Sequence, residues 1–166
     1  MPASEKVVRN VRRMIDSHGF AVMGIGTGVC HDCGDGKPHV HGQGLSFHYT
    51  VGLLESKLPE LLLFGLSALD GHQLLTILAG KMKKDGVFTH GAYVSLGGTY
   101  PLLAIEADDP ETFTEYVTMP KRVYRRNIYP VIEMLTCDRQ GRYPPDCDKP
   151  YSDTPILSSR YPVGGH

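Results

Sequence analysis

Residues 45–65 read LSFHYTVGLLESKLPELLLFG, and this stretch decides the fold class. Its first part alternates strictly, with Leu45, Phe47, Tyr49 and Val51 on one predicted face and Ser46, His48 and Thr50 on the other. Period-2 alternation of this kind predicts a half-buried strand with one apolar face and one polar face. Pro59 then precedes a second predicted strand, the apolar run over residues 60–65.

Helices and further strands are predicted on both sides of this stretch. Ser4 is a suitable N-cap for a helix that ends before Gly19, and Ser67 opens a second helix. A third, short helix starts at Asp109 and is interrupted by Pro120. The predicted strands are residues 20–26, 45–51, 60–65, 87–95, 100–107 and 131–137. We therefore predict an α+β fold, in which a mostly antiparallel sheet of five to six strands packs with two to three helices.

The composition is that of one globular domain. The 166 residues are 41% hydrophobic and 21% charged, close to the averages for folded proteins. The chain shows no internal repeat and no linker, so we predict a single domain over residues 1–148 and a C-terminal arm or tail over residues 149–166. The longest apolar run, residues 61–66, is too short to span a bilayer.

Charge and cysteine content limit the setting and the partners. The formal net charge is -1 and the pI is about 6.7, so no overall basic field drives nonspecific nucleic-acid binding. The first ten residues, MPASEKVVRN, lack the apolar core of a signal peptide. We therefore predict a cytoplasmic location, in which the four cysteines are thiols or metal ligands.

A Cys/His cluster lies between the first two predicted strands. The run CHDCGDGKPHVH, residues 30–41, offers Cys30, Cys33, His39 and His41. Thiolate and imidazole are the ligands that zinc prefers, and four of them close a structural, tetrahedral site. The two pairs are closer together than in ordinary zinc fingers, so the alternative is a solvated loop with incidental thiols and imidazoles. We predict a structural zinc ion that stabilises this loop.

Three polar residues are candidates for catalysis. His48 and Thr50 lie on the polar face of the alternating strand, and Glu60 starts the next one. A histidine there would titrate near neutral pH and could border a pocket. The alternative is that His48 faces solvent and that Glu60 binds the backbone amides of a turn.

The basic stretch at residues 121–126 is a candidate for ligand binding. Arg122, Arg125 and Arg126 could bind phosphate or carboxylate groups, and with Lys121 and the nearby tyrosines they could contact a nucleic acid. The alternative is a solvated helix face. Tyr49 and Asp138 are further candidates for ligand binding. For Asp138 the alternative is structural, because DRQGRYPP is first of all the sequence of a tight turn.

Three motifs in this order resemble a known family. They are the strand Phe47-His-Tyr49-Thr50-Val-Gly52-Leu53, the step Pro59-Glu60-Leu61, and the turn Asp138-x-x-Gly141-x-Tyr143-Pro144. They are similar to the motifs of a bacterial and phage family known as domain of unknown function 4262, although Phe or Trp is more usual at the position of Tyr143. The resemblance implies a small intracellular α+β domain without an established activity. It also marks Tyr49, Thr50, Gly52, Glu60 and Asp138 as positions that the family pattern uses.

Three functional hypotheses follow. The first is a small binding or interaction domain with an unidentified protein or small-molecule partner and a zinc-stabilised loop. The second is an enzyme acting on a small anionic substrate, with a pocket near His48, Thr50 and Glu60. The third and weakest is nucleic-acid binding through residues 121–126.

Overall fold

A computed structural model describes residues 3–26, 29–30, 39–40, 46–149 and 151–161. The four α-helices in this part of the chain are α1 (Ala3–His18), α2 (Ala68–Asp85), α3 (Pro110–Phe113) and α4 (Met119–Tyr124). The strands are β1 (Ala21–Ile25), β2 (Val29–Cys30), β3 (His39–Val40), β4 (Phe47–Val51), β5 (Glu60–Phe64), β6 (Tyr93–Val94), β7 (Leu102–Ala107) and β8 (Val131–Leu135). Short 3-10 turns span Leu53–Ser56 and Tyr151–Asp153.

The central sheet has six strands in the order β1-β4-β5-β8-β7-β6. All neighbouring pairs are antiparallel except β5 and β8, which run parallel. The predicted α+β class and the mostly antiparallel sheet are therefore confirmed. Strands β2 and β3 form a separate antiparallel pair.

The helix starts follow the capping signals in the sequence. Ser67 caps α2, its Oγ accepting a hydrogen bond from the backbone N–H of Asp70 at 3.1 Å. Asp109 caps α3 in the same way. Pro120 falls in the first turn of α4, where proline is tolerated because its missing N–H would have no partner there. Helix α3 ends at Phe113 and α4 starts at Met119, which gives four helices rather than two to three.

Helices cover both faces of the sheet. On one face, α2 packs Leu75, Leu78 and Met82 against β5 and β8. On the other face, α1, α3 and α4 pack around a core centred on β4 and β5. This second core includes Leu157, so the described part of the C-terminal arm packs against the domain.

The prediction that β4 exposes a polar face was wrong. Strand β4 lies between β1 and β5, and four of its five residues are buried. Helix α2 covers the face that carries His48 and Thr50. The alternating pattern correctly indicated which face of β4 is polar. It could not indicate that α2 packs over this polar face.

Candidate binding site

A pocket of about 430 Å³ opens on the α2 face of the sheet, beyond the ends of β5 and β8. Because β5 and β8 are parallel, their carboxyl ends meet at this edge, where open sheets commonly bind ligands. The lining comes from three parts of the chain: Leu66, Leu74 and Ile77 around α2, Leu96 and Tyr100 before β7, and Thr136, Cys137 and Asp138 after β8. The pocket is therefore built where distant segments converge.

The turn that follows β8 supports one side of this pocket. The Asp138 carboxylate accepts hydrogen bonds from the backbone N–H groups of Gln140, Arg142 and Asp148, at 2.9 to 3.0 Å, and from the Arg142 Nε at 2.9 Å. Desolvation alone would raise the pKa of Asp138, but these donors together lower it to about 2. The carboxylate is thus ionised and fully used in holding the turn.

Two contacts connect this turn to the opposite wall. Gly141 has a φ of +78°, and a Cβ added there would lie 2.7 Å from the Tyr100 ring. The Tyr143 hydroxyl donates to the carbonyl of Pro101. The segment before β7 is therefore held in place by residues of the turn, and glycine is required at position 141 for both its backbone conformation and its close contact.

The lining of the pocket suits an apolar group. Burial raises the pKa of Cys137, so its thiol is neutral near pH 7. Asp138 has no free carboxylate oxygen to offer, and the side chains from α2 are aliphatic. Ile77 and Tyr100 remain 55% and 45% exposed and leave apolar surface at the pocket.

Thr50 and Glu60 lie together inside the protein. The Thr50 hydroxyl donates to Glu60 Oε2 at 2.6 Å and accepts from the Leu61 N–H at 2.8 Å. Glu60 Oε1 accepts from the N–H groups of Gly52 at 2.9 Å and Leu54 at 3.3 Å. Burial raises the pKa of Glu60, although these hydrogen bonds oppose the shift. With 0% of its surface exposed, Glu60 anchors the turn after β4.

His48 is buried between the sheet and α2. A Cβ added at Gly71 of α2 would lie 2.3 Å from His48 Nδ1, and one at Gly24 of β1 would lie 2.9 Å from the same ring. Burial, followed by the charge of His72, lowers the pKa of His48. In the described part of the chain, Nδ1 has no hydrogen-bond partner. The ring therefore packs as a neutral spacer between glycines, and Thr50 and Glu60 are hydrogen-bonded to each other rather than to it.

Tyr49 faces the other layer. Its hydroxyl accepts from the N–H of Met119 at 3.2 Å and lies 3.3 Å from the Thr118 Oγ1. The family-type strand motif thus ties β4 to the start of α4 through Tyr49 and to the following turn through Thr50. Tyr49 and Thr50 are themselves buried.

Comparison with protein families gives the chain its identity at the level of the family. The sequence model of the family described as Domain of unknown function (DUF4262) matches residues 14–149. The chain belongs to this family. No curated protein and no solved structure matches it.

The motif residues of this DUF4262 chain are mainly structural. Tyr49, Thr50 and Glu60 hold β4, β5 and α4 together, and Asp138 and Gly141 hold the turn after β8. The sequence therefore identified positions that stabilise the fold. The pocket residues from α2 and from the segment before β7 were not predicted, because an apolar residue that lines a pocket has the same pattern as one in the core.

The basic stretch lies away from the pocket. The Arg122 guanidinium donates to the carbonyl of Ser4 in α1 at 2.7 Å, so this arginine helps to pack α4 on α1. Arg125 ends α4 in a left-handed conformation with a φ of 55°, and Arg126 follows it at the surface. Nucleic-acid binding through these residues stays a prediction.

The Cys/His cluster is described only in part. Cys30 and His39 are opposite each other in the β2–β3 pair, whereas Cys33 and His41 lie outside the described residues. Among the residues that the structure describes, no group of three or more His, Cys, Asp or Glu is placed to hold a metal ion. In the same part of the chain, no helix is long and apolar enough to cross a membrane.

Proposed function

We propose that this domain is a binding module that holds an apolar small molecule, or one apolar group of a larger partner, in the pocket beside α2. The observation that carries the proposal is a pocket of about 430 Å³ at the carboxyl ends of β5 and β8, with aliphatic side chains on one side and Tyr100 on the other. This is the size and character of small-molecule sites in proteins.

The way the walls are held supports a formed site. Asp138 fixes one wall through four hydrogen bonds. Gly141 and Tyr143 of the same turn contact the segment before β7 and hold it in place. A site that is formed before the ligand arrives loses less conformational entropy on binding. The thiol of Cys137 is neutral, and the negative charge of Asp138 is already paired with Arg142. The lining therefore favours an uncharged ligand group.

The test is an NMR titration of the whole chain with indole and with n-octanol. We expect saturable shifts of the backbone amides around Leu66, Leu96 and Thr136, with a dissociation constant of roughly 1 mM or tighter for ligands of this size. Ile77→Asp, which places a carboxylate at the pocket, should abolish the shifts.

A matched control distinguishes binding at this pocket from nonspecific binding to exposed apolar residues. Ile128 is 68% exposed and does not line the pocket, so Ile128→Asp should leave binding unchanged. Shifts that do not saturate, or binding that survives Ile77→Asp, would contradict the proposal.

We also propose that Cys30, Cys33, His39 and His41 hold a structural zinc ion. The supporting observation is the β2–β3 register, which sets Cys30 directly opposite His39. Directly opposed residues of an antiparallel pair are close neighbours on one face, as two ligands of one ion must be. A cytoplasmic setting remains a prediction, in keeping with the free thiols of Cys137 and Cys147.

Elemental analysis of the purified chain tests the zinc proposal. We expect about one zinc per chain, lost in Cys30→Ser and Cys33→Ser and kept in the control Cys137→Ser. A metal-free protein whose stability does not change on these substitutions would refute it.

A further inference from the structure

Glu133 is a buried acid in the middle of the sheet that none of the functions above uses. It lies on β8, between Leu62 of β5 and Ile105 of β7, and 0% of its surface is exposed. Its Oε2 accepts one hydrogen bond, from the N–H of Leu157 at 3.0 Å. Among the residues that the structure describes, its Oε1 has no hydrogen-bond partner. A buried carboxyl group is normally hydrogen-bonded through both oxygens or paired with a cation, so this one is incompletely satisfied.

The group that covers Glu133 is the C-terminal strap, which we define as residues 151–161. Leu157 of the strap is buried in the core, and its carbonyl accepts from the N–H of Asp108 at 3.1 Å. The family match ends at residue 149, so the acid belongs to the matched region and its cover does not. The strap presents to Glu133 the N–H of Leu157, whose side chain packs in the core cluster that also contains Leu62 and Val131.

The Tyr161 hydroxyl of the strap donates to the carbonyl of Pro144 in a part-buried contact. The attachments through Ser159 and Arg160 are more exposed. Ser159 donates through its N–H and its hydroxyl to the Asp108 carboxylate, at 2.9 Å and 2.6 Å. Arg160 pairs with Glu106 at 2.9 Å, and both side chains are more than half exposed. Exposed pairs of this kind contribute little and are screened by salt. The strap is therefore held mainly by Leu157 and its neighbours.

The ionisation of Glu133 works against this cover. Burial raises the pKa of Glu133 to about 8, against the opposing hydrogen bond from Leu157. The apolar neighbours Leu62 and Ile105 offer no charge. The titratable side chains whose pKa is affected by the charge of Glu133 are Tyr116 and Tyr161. Burial raises the pKa of both hydroxyls, so both tyrosines stay neutral over the range in which Glu133 titrates.

We propose that the strap is a lid over a second binding site, whose floor is Glu133 and whose ligand is an ammonium or guanidinium group attached to an apolar body. In the closed state, the N–H and side chain of Leu157 occupy the places of the ligand's cation and its apolar part. When the carboxylate ionises, a cation satisfies it better than a single amide N–H does, so the lid opens and the site becomes available.

The direction of the pH effect follows from the two states. The closed state holds the Glu133 proton more tightly than the open state, in which the carboxyl group has its ordinary pKa near 4.5. The closed state is therefore favoured fully below the ordinary pKa, and it loses that advantage as the pH rises toward about 8. Opening should increase about tenfold per pH unit in this interval.

Hydrogen exchange of the full-length chain, corrected for the intrinsic pH dependence of amide exchange, measures this opening. Between pH values about 5.5 and 7.5 we expect the protection of the strap amides to fall by roughly 100-fold, while the β5 amides keep theirs. Glu133→Gln, which cannot ionise, should remove the pH dependence. The control Glu106→Gln breaks a surface attachment, so it should shift protection equally at both pH values.

The ligand is tested with n-hexylamine, and hexanoate serves as its anionic control. At pH about 7.5, hexylamine at millimolar concentration should increase strap exchange in the natural chain and leave Glu133→Gln unchanged, whereas hexanoate should do nothing to either. The proposal is overturned if Glu133→Gln and the natural chain show the same pH dependence. It is equally overturned if the amine and the acid act alike.

Discussion

Replacing Glu60 with alanine tests whether this acid is part of the scaffold. Three donors use its carboxylate: the Thr50 hydroxyl at 2.6 Å, the Gly52 N–H at 2.9 Å and the Leu54 N–H at 3.3 Å. In Glu60→Ala all three lose their acceptor, and the first two are buried, where water does not replace it. The substitution therefore removes the anchor of the turn without touching the pocket.

The size of the loss follows from these contacts. A buried donor that loses its partner costs about 1–3 kcal/mol, and the longer Leu54 contact adds less. We expect Glu60→Ala to lower the free energy of unfolding by about 3–6 kcal/mol, a large part of the 5–15 kcal/mol typical of a domain. Glu60→Gln keeps one oxygen as an acceptor and removes a charge that burial disfavours, so we expect it to cost only about 1–2 kcal/mol.

Urea unfolding followed by circular dichroism gives these free energies directly, and it suits a chain without tryptophan. Glu55→Ala is the matched control, because Glu55 lies on the same turn but is exposed and pairs with Arg12 at the surface. That control should stay within about 1 kcal/mol of the natural chain. If Glu60→Ala also costs less than about 1 kcal/mol, the reasoning is refuted and Glu60 is free for another role.

Three further predictions concern two closely packed glycines and the charged side chain of Asp138. In α2, Gly71→Ala places a methyl group 2.3 Å from His48 Nδ1 and should cost about 1–3 kcal/mol in urea unfolding. Gly80→Ala in the same helix meets open space and should stabilise by about 0.5–1 kcal/mol, so equal effects would contradict the packing. Gly141→Ala should distort the pocket wall and abolish the indole shifts seen by NMR, and unchanged shifts would show that the wall does not depend on it. Because the folded pKa of Asp138 is about 2, below its ordinary 3.8, its stabilisation is lost as the pH falls through this interval; Asp138→Asn should flatten urea stability there, and an unchanged slope would be the contrary result.

Local signals in the sequence were sufficient to predict most of the helices and strands. Ser67 and Asp109 start helices where their side chains can cap them, and the apolar run after Pro59 became β5. The hairpin before β7 was predicted less well. Only two residues of the run 87–95 pair as β6, because the rest of that run makes turns and loops at the edge of the sheet.

The site was harder to predict than the fold, for a physical reason. Thr50 was singled out on the polar face of an alternating strand and Glu60 at the start of the next one, and in the structure they hydrogen-bond to each other and to the backbone. Ile77 and Tyr100 did not stand out, because their contribution depends on the approach of segments that are distant in the chain. Glu133 lies in the run VIEML and was missed for a related reason: its importance depends on what covers it.

The parallel pairing of β5 with β8 also has a consequence for how the chain folds during synthesis. Glu60 pairs with Val131 and Leu63 with Met134, so this pair closes a loop of about 70 residues. Until β8 leaves the ribosome, one edge of the strand ELLLF stays without its partner, and such an apolar edge is prone to aggregation. We expect nascent chains that stop before residue 131 to need a chaperone, and refolding of the whole chain to be slow compared with that of a helical domain of equal length.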